Sequence, residues 1–200
     1  MLSQLFARKY WLVQNLKIDA GFYINLAVAV LFIPTRLLCA WLLAVAIHEL
    51  SHYIALKLCG VSVYNIKFSA FGVTMLVGEL NGWKELVCAL SGPLGGMIPI
   101  LLRRWMPLTA ILGFLLSCFN LLPILSLDGG RALRTVAVML FGKGFGNLLH
   151  RIISISLIVL IAFIVLYFSV RYYLALLIPP ILFVLFVLNK EKFLANTGNK

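Results

Sequence analysis

Charge is scarce in this chain. Only 12% of its 200 residues are charged, 63% are hydrophobic, and the mean hydropathy is +1.07. Soluble domains sit near 45–50% apolar with about 25% charge, so a soluble globular domain is excluded. The composition is that of a polytopic membrane protein, long enough for one compact bundle. Acidic side chains are scarcer still, six in all: Asp19, Glu49, Glu79, Glu85, Asp128 and Glu191. Against them stand 17 lysines and arginines, giving a net charge of +11. These are scattered between apolar runs instead of being gathered with interleaved aromatics, which argues against a nucleic-acid partner. Cys39, Cys59, Cys88 and Cys118 form no C-x-x-C pair and read as free thiols within the helices. No cleavable signal pattern is apparent. Residues 1–19 read as a basic interfacial segment leading into the first span.

What is abundant is long apolar sequence. Runs at 20–33, 37–58, 86–102, 107–127, 152–170 and 172–188 predict about six transmembrane helices, with a short polar tail at 189–200. Residues 61–85 differ. Val61, Val63, Ile66, Phe68 and Ala70, then Val73, Met75 and Val77, partly alternate around Gly72. That pattern predicts a small membrane-associated β-hairpin with its turn near Phe71-Gly72. The expected fold is therefore all-α and polytopic, with one hairpin between the second and third spans. With six spans, only Arg36, Arg103, Arg104 and Arg171 of the lysines and arginines face one side. The positive-inside bias then puts both termini in the cytoplasm.

Histidine is also rare, with three in the chain, yet two of them fall in His48-Glu49-Leu50-Ser51-His52. This H-E-x-x-H lies within the apolar run at 37–58. Residues four apart share a helix face, so both imidazoles can reach one metal ion with Glu49 beside them. Two imidazoles suit zinc, and the neighbouring carboxylate suits a general base toward an activated water. From the chain's own His and Glu frequencies, chance supplies the pattern in roughly one such chain per thousand. A structural pair of histidines is the competing reading. Ionisable groups inside a membrane segment are costly, and that favours function.

A catalytic zinc usually takes three protein ligands plus water. Asp19 and Glu191 sit at the extremities, and Glu79 and Glu85 remain possible beside the hairpin. Asp128 closes the run at 107–127, on the side toward which the H-E-x-x-H points, and precedes Gly129-Gly130, which permit a sharp turn. Asp128 is the preferred third ligand, with a turn-forming aspartate as the alternative. His150 is the one other nitrogen donor, placed near the interface.

The run from His48 to Ala55 followed by Gly60-Val61 resembles the metal-binding helix of site-2 proteases, the intramembrane zinc metalloproteases. Ser91-Gly92-Pro93 resembles the small-residue motif of their third core helix. Asn120-Leu121-Leu122-Pro123 with Asp128-Gly129-Gly130-Arg131 resembles their second signature. The three blocks follow the family's order over roughly residues 17–134. The resemblance implies zinc held by His48, His52 and Asp128, with Glu49 as catalytic base. It also implies that Asn120 faces the site to bond the scissile carbonyl or oxyanion; a helix-packing amide is the alternative. Lys17-Ile18 and the compact layout look similar to the stage IV sporulation protein FB subgroup, implying a role in sporulation and a forespore membrane. Ser126 stands where relatives often carry proline. The chain ends at Lys200, so no nucleotide-sensing CBS domain is expected.

The sequence thus predicts a zinc-dependent intramembrane endopeptidase spanning residues 20–188, with its active site toward the cytoplasmic side. Its partners would be the lipid bilayer, a membrane-embedded or membrane-associated protein substrate, and a membrane protein inhibitor. The rival is a metal transporter or sensor. A transporter requires polar ligands along several spans, whereas here they gather near one membrane face.

Overall fold

The computed structural model describes residues 15–70 and 72–172. Residues 1–14, residues 173–188 of the expected sixth span and the tail at 189–200 lie outside the described residues. The elements run β1 (Asn15–Ile18), α1 (Ala20–Phe32), α2 (Thr35–Leu58), β2 (Val63–Ser69), β3 (Gly72–Val77), α3 (Trp83–Gly96), α4 (Pro107–Asn120) and α5 (Asp128–Tyr172). A 3₁₀ turn, Ile98–Leu102, extends α3. The chain divides into two compact units, Met1–Phe119 and Asn120–Lys200.

In the first unit, α2 carries the H-E-x-x-H. It begins after Pro34 and is closed by Gly60, whose φ of 72° is left-handed. The Val61 N–H donates to the Leu56 carbonyl at 2.9 Å and the Gly60 N–H to that of Lys57 at 3.0 Å. This is a Schellman closure, which glycine adopts without steric cost. Lys84 Nζ adds a hydrogen bond to the Cys59 carbonyl at 3.1 Å. The closure turns Val61 inward, where it packs with Ala55, Leu56, Val63 and Cys88. Ile66, Met75 and Val77 of the strands pack on the same cluster, so the sheet is anchored to the final turns of α2.

The expected hairpin is present. β2 and β3 pair antiparallel from Val63↔Val77 to Ser69↔Gly72, with an irregularity between Val63 and Asn65. The turn falls where the alternation breaks, and Gly72 has φ of 114°. A third strand had no signal in the alternation. β1 pairs parallel to β2, and the sheet order is β1-β2-β3. Four residues are too few for a periodicity to register, so pairing with β2 decides their conformation. The first turn of α1 is tied to this sheet. Phe22 packs edge-on to Phe68 with centroids 5.6 Å apart, and Asn25 donates to the Ala70 carbonyl at 2.6 Å. Lys67 lies 3.2 Å from Asp19. Its hydrogen bond, and then its charge, hold the exposed Asp19 carboxyl below the ordinary value.

Three helices among the described residues are long and apolar enough to cross a membrane: Thr35–Leu58, Trp83–Leu102 and Asp128–Phe168. The expected spans at 20–33 and 107–127 are shorter helices, of 13 and 14 residues. At 1.5 Å per residue each is about 20 Å long, against a hydrocarbon core of about 30 Å. Pro34 stops the first, and the non-helical segment 121–127, with Pro123, follows the second.

The second unit corrects another expectation. Residues 131–151, which lie between two expected spans, are helical on both sides of Gly142. At φ 80° and ψ 165°, Gly142 breaks α5 into arms 128–141 and 143–172. Basic residues ended the apolar run in sequence but did not stop the helix. The arms approach closely at Gly146, where a β-carbon would meet the backbone of Ala137 and Val138 within 2.7 Å. Further along, Ser154 Oγ accepts from the Leu125 N–H at 3.1 Å, and Ile158 packs with Ile124 and Leu127. The second arm therefore buttresses the segment before Asp128.

Gly129 and Gly130 do not make the expected turn. Asp128 begins a helix instead of ending one, and both glycines are helical. They are needed because the 121–127 segment folds tightly over this first turn. A β-carbon on Gly129 would strike the Leu121 carbonyl, and one on Gly130 the Ile124 carbonyl. Gly130→Ala should cost about 1–3 kcal/mol by overpacking. Gly144→Ala, whose added methyl meets nothing within 4 Å, is the matched control. Thermal unfolding of the two variants side by side checks this expectation.

Candidate metal centre

His48 and His52 stand one turn apart on α2, with ring centroids 4.9 Å apart and planes at 83°. His48 is buried and His52 half-buried. Glu49, also half-buried, follows His48 directly on the helix. The pair is organised by the neighbouring helix α3. His52 Nδ1 lies 2.7 Å from the Cys88 carbonyl oxygen. A carbonyl can only accept, so Nδ1 carries the proton and donates. The acceptor lone pair of the imidazole is then on Nε2, the atom available to a metal.

Small residues on α3 make this approach possible. A β-carbon on Gly92 would strike the His52 ring, its nearest atom being Nε2, and one on Gly95 would strike the Ser51 side chain. At Gly96 it would meet Ser117 Oγ at 2.5 Å and His48 Nδ1 at 3.5 Å. α4 approaches the same place, since a β-carbon on Gly113 would lie 2.5 Å from the Gly96 carbonyl. These glycines thus clear the space in which the imidazoles sit. Pro93 adds to this, because it lacks the N–H that would bond the Ala89 carbonyl.

In the second unit, Asp128 is 9% exposed and occupies the first turn of α5. His48, His52 and Asp128 make up a group that could hold a metal ion. Two imidazoles and a carboxylate are a zinc-type donor set, the lone pair on His52 Nε2 fits it, and the absent side chain at Gly92 leaves it room. The other candidate ligands stand elsewhere. Glu79 is exposed, and Glu85 lies in the first turn of α3. His150 is buried in the second arm of α5, and its Nε2 has no hydrogen-bond partner among the described residues. Asn120 is the last residue of α4 and half-buried. Sequence reasoning missed the Cys88 carbonyl, since a main-chain acceptor leaves no mark in residue type.

No protein-family model matches the chain. A zinc metalloprotease of Methanocaldococcus jannaschii is 28% identical over 162 residues, covering 74% of this chain. The chain spans about half of that relative, 47% of its length. A solved structure, the site-2 protease from Methanocaldococcus jannaschii, superposes with a TM-score of 0.62 at 24% identity. The match covers 90% of this chain and 92% of that one. The fold is that of the site-2 protease. Its three membrane-length helices and its apolar composition mark the chain as a membrane protein.

Gly92→Ala should weaken zinc binding by about tenfold or more, because the methyl displaces a ligand ring. Gly144→Ala should bind like the wild type. Zinc content after dialysis against a competing chelator checks both.

Proposed function

We propose that this protein is a zinc-dependent intramembrane endopeptidase of the site-2 protease kind. The observation that carries the proposal is the H-E-x-x-H on a membrane-length helix, with His52 held as a metal-ready imidazole by the Cys88 carbonyl. The His-His-Asp donor set and the zinc metalloprotease relative support it. His48, His52 and Asp128 would hold the ion. When bound, zinc supplies the Lewis acidity that brings the pKa of water toward about 7 and polarises a peptide carbonyl.

The chain's own residues then move protons and position the substrate. Glu49 takes the proton of the attacking water and later returns one to the leaving amine. Asn120 donates its side-chain amide to the scissile carbonyl oxygen as negative charge develops there. Substrates are membrane-embedded or membrane-associated proteins. Their helices must unwind locally, because the carbonyls of an intact helix are internally bonded. β3 is an outer strand of the sheet, with Thr74 and Leu76 exposed, and its edge suits pairing with the extended stretch. Counted over six spans, the lysine and arginine bias favours cytoplasmic termini and a site toward that side. A role in sporulation, and an inhibitor that silences the enzyme, rest only on the subgroup resemblance of the compact layout and Lys17-Ile18.

Glu49→Gln should retain zinc and lose cleavage of a co-expressed membrane substrate by at least about a hundredfold, the lower range for a general base. Asp128→Ala should lose the metal. Undiminished cleavage by the Glu49 variant would sink the mechanism, and zinc flux into proteoliposomes would favour a transporter instead.

A further inference from the structure

The contact that orients His52 involves a second group that the proposed mechanism does not use. Ser91 Oγ donates to the Cys88 carbonyl at 2.8 Å and lies 3.3 Å from His52 Nδ1. The three polar atoms form a closed triangle, whose third side is the 2.7 Å contact between Nδ1 and the carbonyl. Each hydrogen has one place in it. The carbonyl accepts only, so the imidazole proton is on Nδ1. The single hydroxyl proton of Ser91 is committed to the carbonyl, so Ser91 Oγ turns a lone pair toward the Nδ1–H. The Nδ1–H thus meets two acceptors, a near one on the main chain and a farther one on the serine.

We infer that Ser91 is a positioning residue for the metal centre, holding His52 in the Nδ1–H tautomer and in the ring orientation that aims Nε2 at the metal. The inference rests on the metal reading proposed above and names a residue of this chain that tunes that site. Two features separate this role from ordinary helix packing. A serine hydroxyl bonded to the carbonyl three residues back is common in helices and by itself serves only its own turn. Here that same carbonyl is the acceptor for the imidazole of another helix, so the serine bond fixes the carbonyl's direction as well. Gly92, next in sequence, has no side chain to push the His52 ring away, so the ring can rest against the α3 backbone at this turn. With alanine at position 91, the ring keeps its near acceptor but loses the farther one and the brace on the carbonyl. Outer partners of metal-bound histidines typically account for 10–100-fold in affinity. The long Ser91 contact points to the lower end, about tenfold.

The test is a zinc competition titration of the full-length, detergent-solubilised protein as wild type, Ser91→Ala and Ser91→Thr. The metal-free thermal midpoint of each is measured alongside. Ser91→Ala should bind zinc about tenfold more weakly at an unchanged metal-free midpoint, and Ser91→Thr, which restores the hydroxyl, should recover the affinity. The Co(II) form of Ser91→Ala should show a shifted ligand-field spectrum, reporting a rotated imidazole. Wild-type affinity in Ser91→Ala would overturn the inference. So would a weakened affinity that tracks a lowered metal-free midpoint and is not recovered by threonine, since that pattern belongs to packing. If the wild type itself binds no zinc, the metal reading fails and takes this inference with it, a result distinct from both.

Discussion

The close approach of α3 to α2 is the constraint on which the rest of the first unit depends. Helices normally pack 8–10 Å apart, held off by their side chains. At Gly92, Gly95 and Gly96 there are none, and a β-carbon at any of them would collide with a side chain presented by a neighbouring helix. Removing that bulk brings a main-chain carbonyl of one helix within 2.7 Å of an imidazole on the other. In a membrane, where apolar surface gains nothing by turning from lipid to protein, close backbone contact and interhelical hydrogen bonds are the available forces. The same contact therefore holds the helices together and orients the His52 imidazole.

The second unit presents its carboxylate by a different device. Asp128 starts a helix whose first turn is covered by the 121–127 segment, and two glycines make room for that cover. Behind the segment, the second arm of α5 contributes Ser154 and Ile158. A break at Gly142 is what returns this arm to the first. Positioning one carboxylate thus draws on residues about thirty positions away along the helix, none of which has chemistry of its own.

Much of the site was legible because metal chemistry is strict about residue type and spacing. His48, Glu49 and His52 announce themselves by a spacing that only a helix turns into one face. Asp128 stood out because the chain has few acids, and the same two glycines that flagged it were assigned the wrong purpose. The hairpin was visible in its alternation and in Gly72. The parallel strand β1, the helix through 131–141 and the short length of α4 were not. Each depends on a partner elsewhere in the chain, or on proline and glycine acting against an apolar pattern that reads the same either way.

By itself, the sequence determined the solvent and nominated the donor set. A chain this apolar has to live in lipid, and two histidines one helical turn apart with an aspartate are donor types that suit zinc. The tertiary structure alone decided which nitrogen of His52 keeps its lone pair. That choice rests on a proton, the proton on an acceptor, and the acceptor is a backbone carbonyl of Cys88, 36 residues away. Main-chain groups are identical at every position, so no residue letter can announce the one that matters. Only the packing of α3 against α2 picks it out.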